Sequence, residues 1–210
     1  PTALFLADQD TARKLMKFRI LPALKGMGKV KEIKGNKKQE ATKFECALPN
    51  GFYLMVSWGS SVSQTASMSF KYVFCDEINK KGYDVSGDEG SSLGRIRERA
   101  ETYADSKIIL FSTPTIDTGR VTKELASCDC VYDYQAACIN CGTLQTMKFS
   151  QVKWNGGRKA TRDEIAESAR YICEHCGYAM TTAEKNIAVE RGQFIAREEV
   201  STLVKAGLQL

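Results

Sequence analysis

At 210 residues the chain is long enough for one hydrophobic core of ordinary size and a small satellite. An apolar content of 43% and a charged content of 26% exclude a disordered or fibrous protein, and no apolar run approaches the length of a membrane span. The net charge of +5 permits contact with nucleic acid without demanding it, and no charged-then-apolar leader opens the chain.

Residues 3–7, ALFLA, predict a strand buried on both faces. Asp8 or Asp10 can cap the helix that follows, which Ala12, Leu15, Met16 and Ile20 mark at helical spacing up to Pro22. Residues 25–40, KGMGKVKEIKGNKKQE, read as an exposed basic loop. TKFECALPNGFYLMVSWG predicts a hairpin that turns at Pro49-Asn50-Gly51, and SSVSQTASMS a polar loop. A strand over residues 71–75 then stops at Asp76 and Glu77. KKGYDVSGDEGSS reads as a loop, residues 91–103 as a helix, and KIILFSTPT as another buried strand with residues 108–111 as its apolar core. Strands alternating with helices predict an α/β domain with a mainly parallel sheet over residues 1–126.

An acidic pair at a strand tip has a specific use in nucleoside triphosphatases. One acid holds magnesium, usually through water, and its neighbour polarises the attacking water. Asp76 fits the first role and Glu77 the second; the alternative is a strand ending in a solvated acidic turn. The next predicted strand ends in Ser112-Thr113-Pro114-Thr115. Small hydroxyl residues beside the acids can sense the terminal phosphate and relay its hydrolysis; the alternative is a plain Ser-Thr-Pro turn. The single helix between the two strands suits the crossover that sets them side by side. No G-x-x-x-x-G-K-[ST] occurs: KGMGKV has Ala23 in place of the first glycine and Val30 in place of the hydroxyl residue. Pro1 opens a strand already under way. The sequence therefore reads as a fragment whose phosphate loop lies before it, inactive as an ATPase on its own.

Cys138-x-x-Cys141 and Cys173-x-x-Cys176 are each followed by glycine. Two such knuckles supply four thiolates to one tetrahedral, structural zinc, and the glycines permit the tight turns that aim the sulfurs. This predicts a zinc ribbon over residues 127–182, with strands in QTMKFSQVKW and ARYI. Disulfides and a thiol redox site are the alternatives. Cys128 and Cys130 read as spare. His175, the only histidine, reads as exposed, which leaves no Cys-His or Ser-His catalytic arrangement. Residues 183–210 read as a tail or linker.

The order of these features, from PTALFLADQDTARKL through strand-Asp-Glu, GDEG, an arginine-bearing helix, KIILFSTPT, CINCG and YICEHCG to AVERGQF, resembles the lambda-type large terminase subunit of tailed bacteriophages. The resemblance implies an α/β fold that is part of a P-loop-type ATPase sheet followed by the zinc ribbon. It implies an ATP-driven motor that translocates double-stranded DNA into the procapsid, using ATP and Mg2+, with Zn2+ as a structural ion. A nuclease domain outside this chain would cut the concatemer. The small terminase subunit and the portal are the implied partners, the motor is implied to be a homo-oligomer, and the host cytoplasm is the implied location. By the same resemblance Asp76 and Glu77 are the magnesium and water-activating acids (Walker B), and Ser112 and Thr113 are the coupling motif. Arg99 lies near a helix arginine of the family pattern, whereas Arg95 and Arg97 read as a solvated face. The family often carries an arginine in the loop before the acidic strand; SSVSQTASMS has none. Two other readings share these features: a helicase-like translocase with a zinc insertion, and a non-catalytic zinc-ribbon binding module on a degenerate nucleotide fold.

Overall fold

A computed structural model of the chain describes residues 1–28, 41–48, 50–61, 68–84, 86–87, 90–114, 118–202 and 204–209. Most of the predicted basic loop (29–40), Pro49 of the hairpin turn, residues 62–67 of the polar loop, Asp88 and Glu89 of GDEG, and Thr115 lie outside the described residues. The chain divides into two units, Pro1–Lys123 and Glu124–Leu210.

The first unit is built on five strands: β1 (Thr2–Leu6), β2 (Glu45–Ala47), β3 (Tyr53–Trp58), β4 (Tyr72–Asp76) and, after the two-residue strands β5 (Ser86–Gly87) and β6 (Gly90–Ser91), β7 (Lys107–Phe111). Their order is β2-β3-β1-β4-β7, with β2 antiparallel at one margin and all other pairings parallel. The register sets Phe5 opposite Cys75 and Asp76 opposite Phe111. Side chains alternate between faces along a strand. Ala3, Phe5, Met55, Val73 and Cys75 therefore share one core with Leu93 and Ile96 of helix α3 (Ser92–Glu98). Leu6 and Val56 face the other way and meet Ala12 and Met16. Helices thus cover both faces, as a parallel sheet requires.

Helix α1 (Gln9–Leu15) opens on Asp8, whose carboxylate accepts from the Thr11 N–H at 2.8 Å. A π-helical turn (Met16–Ile20) leads into α2 (Leu21–Gly26). The predicted stop at Pro22 is thereby corrected. Pro22 instead lies inside a helical backbone that runs unbroken from the π-helical turn into α2; proline lacks the N–H that would bond the preceding turn, and the wider i→i−5 pairing of Leu21 N–H with Met16 O sits directly before it.

Three other expectations change. The KIILF strand is at the sheet margin, so only one of its faces is covered: Ile108 and Leu110 pack on the core, while Ile109 and Phe111 are 46% and 41% exposed. The predicted helix over 91–103 ends at Glu98, with Arg99 as its C-cap. Arg95 is not solvated but 3% exposed; its guanidinium donates to Gly90 O at 2.7 Å and approaches Ser92 Oγ at 3.4 Å. These bonds offset part of the cost of burying the cation, while its Nε is buried without a partner.

In the second unit β8 (Cys130–Ala137) is the spine. It pairs with β9 (Leu144–Thr146) and β13 (Gln193–Ala196), both antiparallel, and with β14 (Ala206–Gln209), parallel. A second sheet joins β10 (Val152–Lys153), β11 (Arg170–Ile172) and β12 (Ala179–Met180). Helix α4 (Arg120–Ala126) contains the division between the units. Helices α5 (Arg162–Ser168) and α6 (Thr182–Glu190) each begin at a capping box, Thr161 with Glu164 and Thr181 with Glu184. Residues 183–210, expected to be a tail or linker, instead supply most of α6 and both outer partners of β8. Backbone donors and acceptors along β8 need those partners, and Ala188 and Val189 of α6 join the core.

Candidate functional site

Asp76 ends β4 and is half-buried; that burial pushes its carboxyl above the ordinary carboxylate range. Glu77 follows with φ at 54°, the one described non-glycine residue in the left-handed region. Its carboxylate is 2.6 Å from Lys80 Nζ, with both groups well exposed, so the pair adds little stability. Ser112 and Thr113 follow β7, the parallel neighbour of β4, and so lie beside the acids at the carboxyl ends of the strands. In open α/β sheets ligands bind at those ends.

Asn79 ties the two strand ends together. Its N–H donates to Ser112 Oγ at 3.2 Å, its Nδ2 donates to Thr113 O at 3.0 Å, and its Oδ1 accepts from the Val121 N–H at 2.8 Å. Arg120, one residue earlier on α4, donates to Ile78 O at 2.5 Å and pairs with Asp84. The buried Tyr83 hydroxyl is 2.9 Å from Phe5 O and 3.1 Å from Asp76 O, bridging the ends of β1 and β4. Arg99 is placed differently. Its carbonyl accepts from the Phe70 N–H, just before β4 begins, so its backbone sits a strand's length from Asp76. Arg120 reaches the acidic turn through its bond to Ile78 O.

The four cysteines of the two knuckles come together. All four Sγ atoms lie within 4.8 Å of one another, with Cys138 to Cys176 at 3.8 Å and Cys141 to Cys173 at 3.9 Å. Tetrahedral zinc with Zn–S bonds of about 2.3 Å requires sulfurs about 3.8 Å apart, so the donor set fits zinc in size and softness. The two knuckles have the same backbone. Gly142 and Gly177 have φ of 73° and 71°, and each N–H donates to the carbonyl of the first cysteine of its pair. Cys138 and Cys173 are buried in the second unit's core, while Cys141 and Cys176 are exposed. Hydrogen bonding to Thr143 brings Cys141 down to about 6, and burial pushes Cys138 up to about 11. Cys128 and Cys130 lie outside the cluster; their thiols donate to Glu124 O and Glu198 O. His175 is exposed beside Glu174. Among the described residues this is the one group of three or more Cys, His, Asp or Glu able to share an ion.

A family model described as phage terminase large subunit gpA, ATPase domain, matches residues 1–194. The chain belongs to that family. The match runs through both units and reaches into β13. No curated protein and no solved structure gave a significant match. Membership assigns this terminase chain a role in phage DNA packaging, with ATPase activity in the intact protein, ATP and Mg2+ as cofactors and DNA as substrate. Among the described residues no helix is long and apolar enough to cross a membrane.

Sequence reasoning missed Asn79, Tyr83 and Arg120. Asn79 sits where an ordinary turn former would. Tyr83 carried a usable signal, a large aromatic within an otherwise polar loop. Arg120 carried none.

Proposed function

We propose that the end of β4 is the magnesium- and water-handling part of an ATPase that drives double-stranded DNA into the procapsid. The observation that carries this reading is the link from the acidic turn through Asn79 to Ser112 and Thr113 on the neighbouring parallel strand. Asp76 would hold magnesium. One or two carboxylates completed by substrate phosphates and water are the usual protein share for that ion. Glu77 orients and deprotonates the attacking water, and Ser112 and Thr113 report the state of the terminal phosphate to the rest of the chain. The left-handed backbone at Glu77 supports the assignment, since such strain collects at functional positions.

The phosphate loop belongs to a further strand and helix of a P-loop-type sheet. The margin of β7 supports this: among the described residues it pairs with β4 alone, and Tyr72, Ile109 and Phe111 leave that face exposed. Such a strand would pair the free edge of β7, and its helix would cover the face. The second unit is a zinc ribbon whose zinc is structural, because four thiolates leave no open position. A nuclease domain outside this chain cuts the concatemer. The small subunit, the portal and further copies of the large subunit complete the motor in the host cytoplasm.

The test is Glu77→Gln in the protein that carries this chain together with a phosphate loop. ATP turnover should fall by about 100-fold or more while nucleotide affinity stays within a few-fold. Turnover at the parent rate would remove Glu77 from the mechanism.

A further inference from the structure

Residues 147–162 of the second unit, MKFSQVKWNGGRKATR, hold five cations and no acid. Neither the cysteine cluster nor the core accounts for them. Phe149 is 80% exposed, although burying such a side chain is worth about 1.5–3 kcal/mol. Its ring centroid is 6.3 Å from that of Trp154, with the planes tilted by 49°. The Trp154 Nε1–H donates to Gly157 O at 2.9 Å, which holds the turn after it against the indole. Gly156 and Gly157 carry φ of 75° and 56°, and the chain passes directly into a 3-10 turn, Gly157–Lys159. Arg158 and Lys159 belong to the turn held against the indole, and Lys153 directly precedes Trp154 at the end of β10. Lys148 is neutralised by Glu174 at 3.1 Å, but Lys153, Arg158, Lys159 and Arg162 make no ion pair among the described residues. Glu164 is engaged in the capping box of Thr161.

We infer that this face of the cysteine-cluster unit binds DNA. Lys153, Arg158, Lys159 and Arg162 meet backbone phosphates, and Phe149 and Trp154 lie against the sugar or base surface. Unpaired cations around an exposed phenylalanine and a half-buried tryptophan complement a polyanion with apolar faces. A protein partner fits less well, because lysine is depleted at protein interfaces and the apolar part here is two rings. The face itself follows from the geometry; the choice of duplex DNA as its ligand rests on the packaging reading above.

The test uses the 210-residue chain with its metal and a fluorescent duplex of about 20 base pairs, titrated between about 50 and 200 mM salt. The parent should bind with a steep salt dependence. Lys153→Glu, Arg158→Glu and Lys159→Glu together, all at exposed positions, should lower affinity about 10-fold or more and reduce the slope of log affinity against log salt by about 2–3. Phe149→Ala should weaken binding several-fold at an unchanged slope. In a Trp58→Phe background, Trp154 fluorescence should change on DNA addition. Unchanged metal content and circular dichroism show that each variant is folded. Duplex binding by the triple variant at the parent affinity would overturn the assignment of this face, while leaving DNA as the substrate. A parent chain with no salt-dependent duplex binding would overturn the inference. So would parent self-association that Phe149→Ala abolishes without any DNA binding, which would mark a protein interface. The Glu77→Gln experiment reads ATP turnover and is decided independently of all of these.

Discussion

Glu77 holds a backbone conformation that costs an L-residue about 1–2 kcal/mol, so its surroundings must enforce it. Asn79, two residues on, is the evident source, with three hydrogen bonds to residues 33 to 42 positions away. Asn79→Ala would free the Val121 N–H and the Thr113 carbonyl together. It should destabilise the first unit by about 1–2 kcal/mol, read as a lower urea midpoint at unchanged slope. Asn79→Asp keeps the acceptor for Val121 N–H and loses the donor to Thr113, so it should fall between the two. If Asn79→Ala unfolded at the parent midpoint, the hub would be a turn residue without energetic weight.

Among the elements, the ends of β1 and β4 are closed by the 3-10 turn Lys81–Tyr83. Tyr83 reaches the carbonyls of both strands only because Gly82 lets the turn approach β1. A Cβ on Gly82 would lie 1.6 Å from the Ala7 carbonyl oxygen, a contact with backbone that no rotamer relieves. Gly82→Ala should therefore displace the turn and cost about 1–3 kcal/mol, more than a surface substitution in a loop normally does. The same change should loosen Asp76, whose carbonyl faces the Tyr83 hydroxyl. Thermal melts of Gly82→Ala beside Gly26→Ala check this, since a Cβ at Gly26 meets nothing within 4 Å. Equal melting temperatures for the two variants would contradict it.

Over the whole molecule, each unit has its own core, and the second has a small one in which Cys138 and Cys173 are members. If zinc joins the four sulfurs, much of that unit's stability is metal binding free energy. Chelation should release one ion per chain and unfold the second unit, leaving the first unit's sheet largely intact. Cys173→Ser should do the same, while Cys128→Ser and Cys130→Ser leave the metal content unchanged. Trp58 in the first unit and Trp154 in the second report the two events separately. A second unit that is metal-free and fully folded, or a disulfide among the four cysteines, would defeat the zinc assignment.

Several features were legible from neighbours along the chain alone. An apolar run that stops at Asp76-Glu77, a turn at Asn50-Gly51, and cysteine pairs followed by glycine are each local patterns. Each acts through the backbone within a few residues, so the parallel sheet, the hairpin and the meeting of four sulfurs could be anticipated. The pattern of motifs likewise carried the terminase resemblance. Tertiary structure alone decided the rest. Arg95 reads as a surface helix arginine; its partners Gly90 and Ser92 are close in sequence, but its burial depends on how its helix packs. KIILF has the composition of a central strand, but its place at the margin depends on which strands stand beside it. Within residues 183–210, Gln193–Ala196 and Ala206–Gln209 carry no ribbon signature and become strands because β8 offers open backbone on both sides. Asn79 is the clearest case: a bond to a partner 42 residues away leaves no periodicity, spacing or composition behind. Such contacts exist only once the chain has brought distant segments together.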